Sequence, residues 1–342
     1  MKFIKDNFII SKKKNNFRII IIILLGLVII NNKIYYRILF RNSINNYNIY
    51  DQIKLDYKNN KFVIIRDYCK TCGLFAFYKH YLACLLTFIN KGYIPIIDLI
   101  SFPNNFNGFN TSSLNKNPWE LFFHQPYEYT LENVKKNAKH IKYSKCQYSF
   151  GILNNYIYLN NIMLDFWHNI ALKYIPIKYK IIKESNIIIR KLFKGSSNVL
   201  GILARGTDYI SFKPKSHPRQ PKIKDMIKDI KKMDKKNKYD FFFLATEDDL
   251  IRMKLKKELG KKIKYLIKTN NIEYNYKEKK LLCFNKYIKG NLDFIRIYLI
   301  NIIILSKCID IIAARTSGTI GAFILSKGFR YTKLYFLGNY WK

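Results

Sequence analysis

The sequence predicts an α/β chain with two parallel-sheet domains behind an apolar, membrane-directed segment. Three observations carry this expectation. Short apolar runs at Phe62–Ile65, Val199–Leu203, Tyr239–Thr246 and Cys308–Ala314 have the continuous hydrophobicity of strands buried on both faces. Between them lie stretches with apolar residues at helical spacing, the pattern of βαβ crossovers. Finally, 342 residues with 49% hydrophobic content suit two domains of ordinary size.

The first element is the apolar run Ile19–Ile30, twelve residues long. A bilayer needs roughly 20, so a spanning helix must recruit Phe17 and the Ile34–Phe40 flank, with Arg18 and Lys33 snorkelling. A signal-peptide core has the same length, but no small-residue cleavage site follows, and an uncleaved signal anchor is the preferred reading. Six basic residues and one acid precede the run, which puts the N-terminus in the cytosol. The expected topology is single-pass type II, with the body on the lumenal side of the Golgi or ER in a eukaryotic cell. Residues 1–41 make the tail and anchor and 42–56 an Asn-rich stem. Residues 57–194 make a first α/β domain with a helical linker, and 195–342 a second domain. Asn110-Thr111-Ser112 is a glycosylation acceptor sequence.

The formal charge of +38 comes mostly from lysines scattered among Asn, Ile, Tyr and Phe, as a coding bias produces. A basic stripe with stacking aromatics is missing, so no nucleic-acid partner is expected, although anionic small substrates are attracted. The six cysteines are too sparse for a disulfide scaffold. Cys69 and Cys72, with His80 and Cys84 beyond, outline a zinc knuckle, but Leu74, Phe75, Phe77 and Tyr78 stand among them and no second CxxC exists. Buried thiols or a disulfide are expected there, and no metal.

In the first domain, strand Phe62–Ile65, a turn at Cys72-Gly73, a helix over Leu74–Asn90 and strand Tyr93–Asp98 form a βαβ unit. A Gly/Asn/Ser loop spans 104–117. The aromatic stretch 117–126, with Trp119, Phe122, Phe123 and His124, reads as packing rather than an acceptor-facing wall. Residues 155–194 are mainly helical, broken at Pro176.

The second domain opens with Val199–Leu203, which runs into Ala204-Arg205-Gly206-Thr207-Asp208. Ile223, Met226, Ile227, Ile230 and Met233 then mark a helix lying on a sheet. Strand 239–246 ends in Thr246-Glu247-Asp248-Asp249. A short strand follows within 260–268, then a charged loop over 270–290 and a buried helix from Asp293 to Ser306. Strand Cys308–Ala314 runs into Arg315-Thr316-Ser317-Gly318-Thr319-Ile320-Gly321. A strand, a polar loop and a helix, three times over, describe a Rossmann-like nucleotide-binding domain, with its ligand beyond the carboxyl ends of the strands.

The chemistry is narrowed by what is missing. Neither GxGxxG nor GxxxxGK[ST] occurs, which argues against a hydride-transfer cofactor and a P-loop. HExxH and Asp-x-Asp are absent too, so a bound diphosphate must be neutralised by protein cations rather than by a carboxylate-held metal. Arg205 is the candidate, since its planar fork clamps two phosphate oxygens; the competing reading is an Arg205–Asp208 pair that braces its own loop. Glu247 and Asp248 either bind a ligand's hydroxyl or N–H groups or are acids placed at the start of the next helix. Thr316, Ser317 and Gly318 let backbone N–H groups and a helix N-terminus meet an anion.

Together, Arg205-Gly206-Thr207-Asp208, His217-Pro218, Leu244-Ala245-Thr246-Glu247-Asp248 and Leu305-Ser306-Lys307-Cys308 leading to Thr316-Ser317-Gly318 resemble the fucosyltransferase-like superfamily. It includes α1,6-fucosyltransferases, nodulation fucosyltransferases and protein O-fucosyltransferases. The resemblance covers about residues 198–326, and more weakly Phe62–Glu132. It implies a GT-B-like fold of two facing Rossmann-like domains with a cleft between them. It also implies metal-independent inverting transfer from a GDP-sugar to a glycan or glycoprotein acceptor, with no further cofactor. Arg205 matches the arginine that contacts the donor diphosphate. Thr246, Glu247 and Asp248 match the donor-side loop, Thr316 and Ser317 match the hydroxyl loop near the phosphates, and Gly206, Thr207 and Gly318 beside them are further candidates for donor binding.

The sequence departs from that pattern at Leu203 (often histidine), Gly206 (often a second arginine), Lys213 and Asn301 (often acids). Those departures leave the catalytic base open. Asp208 is the first candidate and His217 the second, and early departure of the leaving group without a strong base is the third possibility.

Overall fold

The computed structural model describes residues 55–66, 69, 72–145, 161–206, 209–210, 212–266, 290–326 and 328–340. The expected anchor, most of the stem and most of the 270–290 loop lie outside the described residues, as do Thr207 and Asp208. Among the described residues no helix is long and apolar enough to cross a membrane.

The first sheet has three parallel strands in the order β2-β1-β3: β1 (Lys61–Ile65), β2 (Ile94–Ile97) and β3 (His140–Ser144). Central β1 is buried from Phe62 to Ile65, which is why it reads as an unbroken apolar run. Pro95, which has no N–H to give a ladder, stands in edge strand β2 opposite Val63. Helix α1 (Leu74–Ile89) makes the crossover.

Carboxamides finish the open end of β2. The Ile97 N–H donates to Gln125 Oε1 (2.9 Å), Asn117 Nδ2 donates to the Ile97 carbonyl (2.7 Å), and Asn104 Nδ2 donates to the Leu99 carbonyl (2.7 Å). These buried side chains hold the 98–117 loop where a further strand would otherwise be needed. The aromatic stretch around short α2 (Trp119–Phe122) is core, with Trp119 and Phe123 stacked at 4.4 Å and both fully buried. Helix α3 (Leu131–Asn137) follows, N-capped by Thr130.

Two helices meeting near Pro176, α4 (Asn161–Tyr174) and α5 (Tyr179–Phe193), lead to the second sheet. Its five strands are all parallel, in the order β6-β5-β4-β7-β8: β4 (Val199–Leu203), β5 (Phe241–Ala245), β6 (Ile263–Lys264), β7 (Asp310–Ala314) and β8 (Thr332–Tyr335). The chain builds outward through β4, β5 and β6, then returns to the other side of β4. The pair β4/β7 is therefore the topological switch point, where such sheets bind ligands.

Helices α6 (Ile223–Asn237) and α7 (Asp249–Leu259) cover one face, where Met226, Ile230, Ile251 and Leu255 pack on Leu200, Ile202, Leu244 and Ile312. Each such fully buried Leu or Ile contributes about 1.5–3 kcal/mol. On the other face lies α8 (Leu292–Leu305). Gly201 admits it closely, since a Cβ there would sit 3.1 Å from Leu305 Cδ2 and 3.2 Å from Cys308 Cβ. Helix α9 (Ser317–Ser326) packs on α8, α4 and α1 and so ties the second sheet's layer to the first domain's crossover helix.

Three expectations change in detail. Strands β3 and β8 were not foreseen, because both are edges whose residues are exposed or half-buried apart from Tyr335, so no apolar run marks them. Strand β6 is only Ile263–Lys264, since Gly260–Lys262 turns as a 3-10 helix. Around the CxxC, Cys69 and Cys72 form a disulfide and Cys84 is disulfide-bonded as well. Cys308 is a buried free thiol whose pKa burial pushes up.

Candidate functional site

Strand register sets a row of side chains across the carboxyl edge of the second sheet. Leu203 pairs with Ala245 on one side and Ala313 on the other, and Ala314 pairs with Tyr335. Two residues beyond the first set lie Arg205, Glu247 and Arg315; one beyond the last pair lies Phe336. Glu247, Arg205, Arg315 and Phe336 thus follow β5, β4, β7 and β8 at positions that correspond when the strand registers are counted on by one or two residues. Two guanidiniums flank the switch point. Arg315, which the sequence reading passed over, directly follows β7 much as Arg205 closely follows β4, and an arginine just past each of two buried strands was the available signal.

The Arg205 loop is braced by Glu247; the Arg205–Asp208 pair considered from sequence involves a residue outside the described ones. Arg205 Nε lies 3.5 Å from Glu247 Oε1, and the Gly206 N–H donates to the same oxygen at 3.0 Å. Glu247 therefore fixes the loop's position while leaning on the charge that a ligand would meet. On its other side, the Arg205 guanidinium lies 4.7 Å from the centre of the Tyr209 ring, a cation–π contact.

Asp248 and Thr246 shape the turn. Thr246 Oγ1 accepts from the Asp248 N–H (3.1 Å), and the buried Asp248 carboxylate accepts from the Ile251 N–H (3.1 Å), capping α7. Of the two readings of Asp248, the structure gives it the helix-start task. Gly206 is required by its neighbour, because a Cβ there would lie 2.0 Å from Asp248 Oδ2 and 2.5 Å from Asp248 Cβ. A second arginine at 206 is incompatible with Asp248 in this place.

The third loop divides between capping and exposure. The Thr319 N–H donates to Thr316 Oγ1 (3.2 Å), and the Thr319 hydroxyl donates to the Ala314 carbonyl (2.6 Å). Because that uses Thr319's one hydroxyl hydrogen, Thr316 is the donor in their 3.0 Å contact. Thr316 is thus an N-cap of α9. Ser317 is half-buried, and among the described residues its hydroxyl has no partner. Gly318 lies beneath Tyr298 of α8, with a Cβ there 2.5 Å from the Tyr298 hydroxyl. Asn301, one turn further along α8, donates to its own helix at the Ile297 carbonyl (2.9 Å) and reaches into no site.

His217 belongs to the same assembly. Its ring meets Tyr209 edge-on at 5.4 Å, so Arg205, Tyr209 and His217 form a chain of contacts. His217 Nδ1 lies 2.9 Å from the Lys215 carbonyl, an acceptor only, so Nδ1 donates and the neutral ring is the tautomer with its lone pair on Nε2. A short ladder to the end of the chain holds this loop: Tyr340 N–H to the His217 carbonyl (2.9 Å), Ser216 N–H to the Tyr340 carbonyl (3.0 Å) and Arg219 N–H to the Gly338 carbonyl (2.9 Å).

The remaining sequence candidates, Thr207 and Asp208, lie outside the described residues. Among the described residues no group of three or more His, Cys, Asp or Glu side chains is placed to hold a metal ion. A cavity of about 520 Å³ lies elsewhere, between Phe122, Lys180, Glu184, Asn291 and Arg296. Arg296 and Tyr298 are two residues apart and so point to opposite sides of α8.

No family model matches the sequence, and no curated protein matches it. Among solved structures, the chain is similar to NodZ alpha-1,6-fucosyltransferase soaked with GDP-fucose at 14% identity and a TM-score of 0.45, over 78% of this chain and 93% of that one. Fucosyltransferase NodZ from Bradyrhizobium is 13% identical with a TM-score of 0.46, over 77% and 93%. POFUT1 in complex with GDP-fucose is 8% identical with a TM-score of 0.44, over 81% and 98%.

Proposed function

We propose that this chain is a membrane-anchored glycosyltransferase that moves fucose or a related sugar from a GDP-sugar to a glycan or glycoprotein acceptor. The observation that supports it most is the pair Arg205 and Arg315, each just past the carboxyl end of one of the two paired strands at the switch point of a parallel sheet. Residues 195–342 form the donor domain in this reading. Residues 57–194 form the acceptor-side domain, facing it across a GT-B-like cleft. Residues 1–41 are the anchor that keeps the body in the Golgi or ER lumen. Asn110, exposed in its turn, is accessible there for glycosylation.

In the reaction, the bond from sugar C1 to the diphosphate oxygen breaks and its electron pair goes to the diphosphate. Arg205 and Arg315 stabilise that charge, so the step needs no metal. The acceptor oxygen bonds to C1 from the opposite face, inverting it. Its proton goes to a base, for which His217 Nε2 has the right tautomer and Asp208 remains the other candidate.

The test uses the full-length chain in mild detergent with EDTA. Thermal stabilisation by GDP but not UDP, CDP or ADP, lost in Arg205→Ala, supports the donor site, and GDP release from GDP-fucose supports turnover. No stabilisation by any nucleotide overturns the donor site. A second reading, a nucleotide- or glycan-binding protein without turnover, is favoured by the internal bonds that occupy both Glu247 and Asp248; it predicts GDP binding with no GDP release.

A further inference from the structure

Tyr298 is a polar residue on an otherwise largely apolar helix, and its surroundings are unlike those of a core tyrosine. Its ring packs edge-on against Phe75 of α1 at 5.8 Å. Its hydroxyl reaches the first turn of α9, where only the missing side chain of Gly318 makes room for it. Among the described residues that hydroxyl makes no hydrogen bond. A buried or half-buried phenol ordinarily finds a partner within the protein. Burial raises its pKa, and Arg205, Glu247 and Tyr209 are near enough to bias its ionisation: Arg205 favours the anion, while Glu247 and Tyr209 oppose it. The group is therefore a neutral O–H donor beside the Arg205 loop.

We propose that the Tyr298 hydroxyl is a catalytic hydrogen-bond donor to the diphosphate of the nucleotide sugar, acting beside Arg205 at the switch point. The inference rests on the function proposed above. In the reaction the phenol keeps its proton; it shortens its hydrogen bond as the C1–oxygen bond breaks and charge collects on the leaving oxygen. The phenol adds to the two guanidiniums one further donor, whose position is fixed by packing on Phe75 and Gly318.

The test is Tyr298→Phe in the full-length chain, which removes one oxygen and no protein–protein hydrogen bond. Turnover should fall about 100-fold, equally at pH 6 and pH 9, with GDP affinity reduced by less and thermal stability retained. Wild-type turnover in Tyr298→Phe overturns the inference. Should the wild-type protein bind GDP without turning over, a loss of GDP affinity in Tyr298→Phe supports the contact and unchanged affinity overturns it.

Gly318→Ala keeps the geometry itself under test, independent of any ligand. It should lower the melting temperature in the wild-type background and have little effect in Tyr298→Phe, where the hydroxyl that it would strike is gone. Equal losses in both backgrounds overturn the placement of Tyr298. A wild-type protein that binds no nucleotide overturns the proposed function, and the Gly318→Ala pair still reports on the geometry.

Discussion

The two ends of the central pair β4/β7 are built in opposite ways. At the amino end of β7, Asp310 is fully buried and every oxygen is used: Arg330 reaches it twice, from Nε at 3.1 Å and from Nη2 at 2.7 Å. The Tyr331 N–H adds a bond at 2.8 Å, and the Tyr239 hydroxyl donates to Oδ2. At the carboxyl end, Arg205 holds Glu247 at a long 3.5 Å, and Ser317 and Tyr298 have hydroxyls without a described partner. One end is a closed network that locks the register of β7 against β8. The other is held in shape by backbone bonds and caps, with the Ser317 and Tyr298 hydroxyls lacking a partner among the described residues. The difference teaches that charge density alone does not mark the site; incomplete satisfaction does.

The comparison can be broken by four measurements. Asp310→Ala should cost about 3–5 kcal/mol, because it strands a buried tyrosine hydroxyl and a paired guanidinium, while GDP binding by the folded fraction persists; urea denaturation reads the first and nucleotide titration the second. Arg205→Ala should do the reverse, losing about 10²–10³ in turnover and under about 1 kcal/mol of stability. If Arg205→Ala instead unfolds the protein, the carboxyl end is structural after all.

Gly206→Ala should cost about 1–3 kcal/mol by driving Asp248 from its cap, seen as a lower denaturation midpoint.

The smallest effect at neutral pH is a titration. Burial alone would raise the Asp310 pKa, but Arg330, Tyr239 and the Tyr331 N–H outweigh it and hold the carboxyl below the usual range. Asp98 behaves alike, with hydrogen bonds from Ser101 and Arg66 and the charge of Lys135 overcoming burial. A depressed folded pKa gives stability that is complete above the unfolded value, near 4, and disappears as pH falls through the folded one. Melting temperature should therefore be flat above about pH 5 and fall steeply below it, less steeply in Arg330→Met.

How much of this was legible follows from where residues sit in the sheets. Strands β1, β4, β5 and β7 showed as apolar runs because neighbours and helices cover them, whereas His140-Ile-Lys-Tyr-Ser and Thr332-Lys-Leu-Tyr are edges that carry no such run. The three polar loops were visible because each directly follows a buried strand. Glu247 as a brace, Asp248 as a cap and Thr316 as a cap depend on partners up to 42 residues away, as in the Arg205–Glu247 contact, or on a single turn's geometry, and spacing alone left their roles open. Tyr298 was invisible, since one tyrosine among isoleucines reads as core until the loop it meets is known. The abundance of asparagine, taken as coding bias, concealed Asn104 and Asn117, which hold the end of β2.

Gly321 has a mechanical consequence. A Cβ there would lie 2.1 Å from Phe75 Cδ1, so the phenyl ring of the first domain's crossover helix fills the notch that the missing side chain leaves in α9. A peg seated in a notch resists sliding and permits turning. Sliding of α9 along α1 is opposed at this point, and Tyr298 packs edge-on against the same ring.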